Sequence, residues 1–216
     1  MLNNASVPSA SPSPEPHAAL ARLDGATASR LALALVDRIG SGIAAISADG
    51  QLLHANRAAR EELQRGPTLL LDGEQVKCER AHDAEWRAAL HDAAVRQRSR
   101  LLWLGRDDAR LMVIAMPMQV EGLASSTALV MLGRRSICSP LGIEMLASRH
   151  GLTYAERRVF SALVDNRTTA EIAALYGVGM STIRSQIMSI REKLQVRSID
   201  ALLLRAAEVP PVAPLH

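Results

Sequence analysis

Aromatic side chains are almost missing from this sequence. Phe160 is the only phenylalanine, and Trp86, Trp103, Tyr154 and Tyr176 complete the set. A surface that stacks single-stranded or RNA bases needs several aromatic rings, so that class is disfavoured. Cysteine is equally scarce: Cys78 and Cys138 are far apart and in no metal-ligand spacing. They read as small buried hydrophobes in a reducing compartment, and no metal is expected. No apolar run approaches the ~20 residues needed to span a bilayer. Residues 1–17 are rich in Ser, Pro and Ala, with neither a basic start nor an apolar centre. They read as a disordered tail rather than a secretory signal, and a cytoplasmic protein without a membrane partner is expected. Walker loops, GxGxxG and HExxH are all absent, so the chain is read as neither an enzyme nor a cofactor carrier. The acidic residues and late lysine of a phosphorelay receiver do not occur in order from Ile43 onwards, which argues against that control.

What is present is globular. The 216 residues are 48% hydrophobic and 22% charged, enough for two modest domains of ~100 residues each. The formal charge is +3, with both signs interspersed. The most structured signal lies in residues 152–206, where eight Arg and Lys face five Asp and Glu. Ile183, Ile187, Ile190 and Leu194 recur at four, three and four, which places one apolar stripe along a helix of nearly four turns. The face opposite carries Ser181, Ser185, Met188 and Glu192, with Arg184 on one flank and Thr182 and Ser189 on the other. Upstream, 169–176 reads as a short helix closed by Gly177-Val178-Gly179, giving two helices around a glycine turn. Thr153 and Glu156 make a capping box before a further helix containing Val159, Phe160 and Leu163. A last helix is entered by Ser198 and carries Ile199, Leu202, Leu203 and Ala206.

These motifs resemble the LuxR/NarL (GerE-like) family of bacterial transcription regulators over about a quarter of the chain. The family's Leu-Thr with its glutamate stands as Leu152, Thr153 and Glu156, and its Glu-Ile-Ala as Glu171, Ile172 and Ala173. The opening of the recognition helix stands as Thr182, Ile183 and Arg184, and the closing residues as Lys193, Leu194 and Val196. Five positions depart from the pattern, among them Met188 and Glu192, which stand where many relatives carry a basic residue. Asn166 replaces the glycine after the first helix and tolerates the left-handed conformation. Gly179 replaces the serine cap, and Gln186 the frequent histidine. The resemblance implies an all-α four-helix head at 147–209 that binds double-stranded DNA as a homodimer, with RNA polymerase as a further partner. Ser181, Thr182, Arg184, Ser185, Met188, Arg191, Lys193 and Arg197 are the expected DNA-contacting residues. The first, third, fourth and fifth of these would touch base edges and the others the backbone. Ile199, Leu202, Leu203 and Ala206 form the expected dimerising stripe, followed by a disordered tail at 210–216.

Before the head, the period changes. Residues 18–39 read as a helix with Ala28, Leu31, Leu35 and Ile39 on one stripe and Gly25 as a break. A strand at 42–48, the Asp49-Gly50 hairpin signal, a second strand at 51–55 and a helix at 57–64 capped by Asn56 follow. Gly66-Pro67 stops that helix, and Asp72-Gly73 marks another turn. A helix at 84–95 turns Trp86, Leu90 and Ala94 inward. Three more strands are expected at 100–104, 110–118 and 127–132, with turns at 105–108 and 121–125 and Pro117 at a strand end or edge. This order resembles a PAS domain, so an α+β fold with an antiparallel sheet and flanking helices is expected at 18–133. A linker and connecting helix are expected at 134–146, with Pro140 as a stop and the helix running over 141–150. A PAS-like domain implies an unidentified small-molecule ligand, for which His54, Trp103 and Met116 are the candidate contacts. Methionines 112, 116, 118 and 131 read as core fillers. Two alternatives stay open: a ligand-free protein-interaction module in front of the same head, and a sigma-factor-like promoter subunit.

Overall fold

The computed structural model describes residues 24–106, 110–120, 122, 126–134 and 136–213. The expected tail at 1–17 and the end of the second tail lie outside these residues, as do parts of the turns at 105–108 and 121–125. The first helix, α1 (Gly25–Asp37), begins where Asp24 accepts hydrogen bonds from the Thr27 amide and hydroxyl at 2.9 and 2.8 Å. None of its side chains is buried, and Leu31, Leu33 and Leu35 are exposed.

Next come β1 (Gly42–Ser47), β2 (Leu52–Ala55), α2 (Arg57–Arg65), β3 (Leu69–Asp72), β4 (Gln75–Cys78), α3 (Asp83–Ala94), β5 (Arg100–Leu104), β6 (Leu111–Met118) and β7 (Thr127–Leu132). Five strands form one antiparallel sheet in the order β2-β1-β7-β6-β5, and β3 and β4 form a separate hairpin. Both glycine turns are built as their chemistry requires, since Gly50 and Gly73 take φ of 91° and 61°. The β3–β4 hairpin itself is an addition to the sequence reading, which found only its turn. Leu70 and Leu71 are exposed, so these strands show no clean alternation.

Period-two alternation sorts the sheet into two faces. Ala44, Ile46, Leu102, Leu104, Leu111, Val113, Ala115, Val130 and Leu132 point to the buried layer, covered by Ala59 and Leu63 of α2 and by Trp86, Leu90 and Ala93 of α3. Asp92 is buried at 3% exposure, and its charge is matched by Arg96 at 3.0 Å and Arg100 at 2.6 Å. Those arginines, Arg100 foremost, hold its carboxyl below the usual range despite burial. Pro117 sits one residue from the end of β6, beyond Ala115, the last residue paired with β5. It therefore costs no ladder bond on that side.

Asn56 ties the start of the sheet together. It caps α2 by accepting from the Ala59 amide at 2.9 Å and also accepts from the Ile43 amide at 2.9 Å. Its amide group donates to the carbonyls of Val36, Ile39 and Ser41 at 3.2, 3.2 and 2.9 Å. A fully buried polar side chain is thereby satisfied on every side.

A second buried cluster belongs to the C-terminal helices α4 (Pro140–Arg149), α5 (Tyr154–Val164), α6 (Thr169–Tyr176), α7 (Met180–Lys193) and α8 (Ile199–Ala207). Pro140 does not stop the chain: it occupies the first turn of α4, whose cap is Ser139 accepting from the Gly142 amide at 3.1 Å. Proline is favoured there because that amide has no intrahelical partner. Cys138 and Ile143 belong to this cluster and Leu146 packs against it, so α4 is a member of this core rather than only a connector. Five helices share it.

Candidate nucleic-acid interface

Helix α7 is positioned by its apolar stripe: Ile183, Ile187, Ile190 and Leu194 are all buried against α5, α6 and α8. The connection before it is made by Gly177, which takes φ of 64° at the C-cap of α6, and by Gly179. Asn166 adopts φ of 61° after α5, the left-handed conformation its side chain tolerates. Capping boxes fix the entry of both preceding helices, Thr153 with Glu156 and Thr168 with Glu171. Gly179 gives α7 no side-chain cap, so its first-turn amides at Met180 and Ser181 stay open to an anion.

With the stripe buried, Ser181, Thr182, Arg184, Ser185 and Met188 are all exposed on α7, Met188 at 57%. Among the described residues, Arg184 has neither an ion pair nor a hydrogen-bond partner for its guanidinium. An unpaired arginine beside three hydroxyls and a thioether matches the donors and the apolar contact that base edges accept.

Three other residues are placed differently from the sequence expectation. Lys193 lies 2.6 Å from Glu156 and also donates to the Gly151 carbonyl at 3.1 Å. Ser189 donates to Glu156 at 2.6 Å, and the Thr153 amide donates at 2.7 Å. Glu156 is 6% exposed. Burial alone would raise its pKa, but the hydrogen bonds from Lys193, Ser189 and Thr153 outweigh it and bring the carboxyl down to about 2. Ser189 and Lys193 thus fasten α7 to α5, and neither belongs to the open face. Arg191 donates to the carbonyl of Arg197 and is half-buried, so it closes the turn after α7. Of the four expected backbone holders, only Thr182 and Arg197 remain exposed.

The expected dimerising stripe is also split. Leu202 and Ala206 are fully buried in the helices' own core and Leu203 packs against it. Ile199 is 37% exposed, and the outward apolar residue of α8 is Leu204, at 64%. Ile199 and Leu204 are thus the apolar positions of α8 open to solvent, and Leu202 and Ala206 are not.

The candidate ligand contacts do not converge. His54 pairs across from Ala45, Trp103 from Met112 and Met116 from Leu129, all positions on the sheet face opposite the packed helices. His54 and Trp103 lie on the two edge strands, four strand spacings or ~19 Å apart. Trp103 is 47% exposed beneath the Arg110 guanidinium at 4.5 Å. Methionines 112, 116, 118 and 131 are half-buried and outside the core cluster, which corrects their reading as core fillers. Cys138 is buried as read, whereas Cys78 is only half-buried, and burial pushes the Cys78 thiol up to about 11.

No family model matches the chain. It is 31% identical over 88 residues to the transcriptional regulatory protein DesR of Bacillus subtilis (strain 168), covering 41% of this chain and 44% of DesR. The match therefore spans under half the length of that relative. Among solved structures, the Vibrio cholerae VqmA dimer, described as a LuxR-type receptor, aligns with a TM-score of 0.36 and 15% identity over 84% of this chain and 90% of VqmA. A VqmA–ligand–DNA complex aligns with a TM-score of 0.38 and 16% identity over the same shares.

Proposed function

We propose that this chain, related to the LuxR/NarL-type transcriptional regulators, binds double-stranded DNA in a sequence-specific manner and regulates transcription without catalysis of its own. The observation that carries the reading is α7, whose three buried isoleucines, with Leu194 at its C-cap, leave Ser181, Arg184, Ser185 and Met188 as one unobstructed face. In this reading α7 enters the major groove. Arg184 donates to guanine, Ser181 and Ser185 meet base edges, and Met188 meets a thymine methyl. Thr182, Arg197 and the open amides of Met180 and Ser181 take phosphates. Two copies place two such helices on half-sites about one helical turn apart, with Ile199 and Leu204 among the contacts between them and RNA polymerase as the partner downstream. An electrophoretic shift with chromosomal fragments at low ionic strength, followed by selection of bound sequences, tests this. An inverted repeat should emerge, and a folded protein without affinity for any fragment refutes it.

For the N-terminal half we favour a PAS-like domain, supported by the strand order β2-β1-β7-β6-β5 with both helices on one face. The ligand-free interaction module is the better supported of its two roles. Trp86, Leu63 and Leu90 fill the layer between sheet and helices, while the apolar residues Leu101 and Trp103 lie open on the other side, at 56% and 47% exposure. A sigma-like subunit is disfavoured, because the upstream residues form a sheet rather than a helical DNA-melting domain.

A further inference from the structure

The chain does not end its contacts at α8. Beyond Val209, which packs on the helical core, the backbone returns to the segment that precedes β1. The Gly40 amide donates to the Pro211 carbonyl at 2.8 Å, the Ala213 amide donates to the Arg38 carbonyl at 3.0 Å, and Ile39 and Val212 form an antiparallel bridge. Pro210 and Pro211 keep this return extended, because their φ is fixed and neither offers an amide. The same short segment is held from the other side by Asn56, which donates to the carbonyls of Val36, Ile39 and Ser41.

We propose that residues 209–213 are a strap that restrains the C-terminal helices against the sheet layer, and that DNA binding requires the strap to open. With it closed, the helices are tied to the sheet twice, once through the chain that follows β7 and once through the strap. A doubly tied head has little freedom to reach its half-site while a partner copy occupies the other. The strap is also made to release, since it consists of two backbone hydrogen bonds and one bridge at a partly exposed site. Contacts of that kind belong to the low-stability end of a fold. Because Ile39 contacts both Asn56 and the strap, a change in the sheet layer that moves 36–41 would reach the C-terminal helices directly. Apparent affinity then scales with the fraction of molecules in the open state.

The bridge supplies its own test. Ile39 and Val212 are flanked by the two hydrogen bonds and do not share them. This is the non-hydrogen-bonded type of antiparallel pair, with α-carbons ~4.5 Å apart and within disulfide reach. The double variant Ile39→Cys with Val212→Cys can be locked by oxidation and freed by dithiothreitol; Cys138 is buried, and burial pushes the thiols of Cys78 and Cys138 up. The oxidised form should bind the selected DNA at least tenfold more weakly than its reduced form. A chain ending at Val209 should bind severalfold more tightly than the full chain, with its thermal transition retained. Equal affinity of the oxidised and reduced forms, or weaker binding by the shortened chain, overturns the proposal.

The strap rests on the DNA-binding reading for its meaning but not for its detection. Trypsin cleavage after Arg134 reports freedom between sheet and helices without DNA. It should be slowest in the oxidised form and fastest in the shortened chain, and equal rates overturn the strap. If the reduced and full-length proteins bind no DNA while the cleavage rates differ as expected, it is the DNA-binding reading that fails.

Discussion

The pairing of Glu156 with Lys193 fixes how α7 is presented, and replacing one carboxylate oxygen should expose its contribution. In Glu156→Gln the one remaining carbonyl oxygen keeps the capping acceptor for the Thr153 amide in the place of Oε2, while the amide nitrogen replaces Oε1 and donates to a Ser189 hydroxyl that turns to accept. What is lost is the charge facing Lys193 at 2.6 Å. The folded protein holds this carboxyl at about 2 against an ordinary 4.5. A difference of roughly 2.5 units at about 1.36 kcal/mol per unit gives an upper figure of about 3 kcal/mol. Because the folded-state pKa is depressed, this stability is fully present above about 4.5 and is lost as pH falls through 4.5 towards 2. At pH 7 the variant should therefore melt roughly 6 to 12 °C below the parent, at 2–4 °C per kcal/mol for a chain of this size. The two curves should converge near pH 2. Urea or thermal unfolding at pH 7, 4.5 and 2.5 measures this. Equal stability at pH 7, or a gap that persists unchanged at pH 2.5, would refute the reasoning.

Three further outcomes follow from other parts of the fold. Arg184→Ala should cost about 1–3 kcal/mol of specific DNA affinity in a competition shift assay; if sequence discrimination is unchanged, Arg184 contacts phosphate instead. Asn56→Ala strands two amides and three carbonyls around a buried site, and at about 1–3 kcal/mol per unsatisfied group even partial rehydration leaves a loss of roughly 3 kcal/mol or more in a thermal melt. Trp103→Glu alters an exposed position on the open sheet face and should change melting by less than ~0.5 kcal/mol. If that face joins two copies, sedimentation should show the monomer fraction rise, and an unchanged dimer fraction would assign the interface elsewhere.

The helical half was legible because its signals are local. The isoleucine spacing in α7, the Thr153–Glu156 box and the left-handed tolerance of Asn166 each act within a few residues, and all three appear as read. What a helical wheel cannot show is which side chains reach across to another helix. Ser189 and Lys193 lie 33 and 37 residues from Glu156, so the wheel placed Ser189 on the open flank and left Lys193 free for phosphate. The same limit misplaced Leu202 and Ala206, whose stripe is apolar for the core of their own chain. In the sheet, apolar runs and turn signals locate β1, β5, β6 and β7 but not which face the helices cover, so nothing in the sequence shows that the candidate ligand contacts His54, Trp103 and Met116 lie on the face away from the helices. The return of 209–213 was hidden behind two prolines, which announce no strand.

The adjacency of β1 and β7 carries a kinetic consequence. Ser47 pairs with Thr127 and Gly42 with Leu132, separations of 80 and 90 residues, so the central ladder of the sheet cannot close until most of its chain is present. Contacts of such range are entropically slow to form, whereas the C-terminal helices draw mostly on neighbours. During refolding from denaturant, far-ultraviolet ellipticity from the helices should therefore recover first. Burial of Trp86 should follow in a later phase, and during synthesis the sheet waits for Leu132 to leave the ribosome.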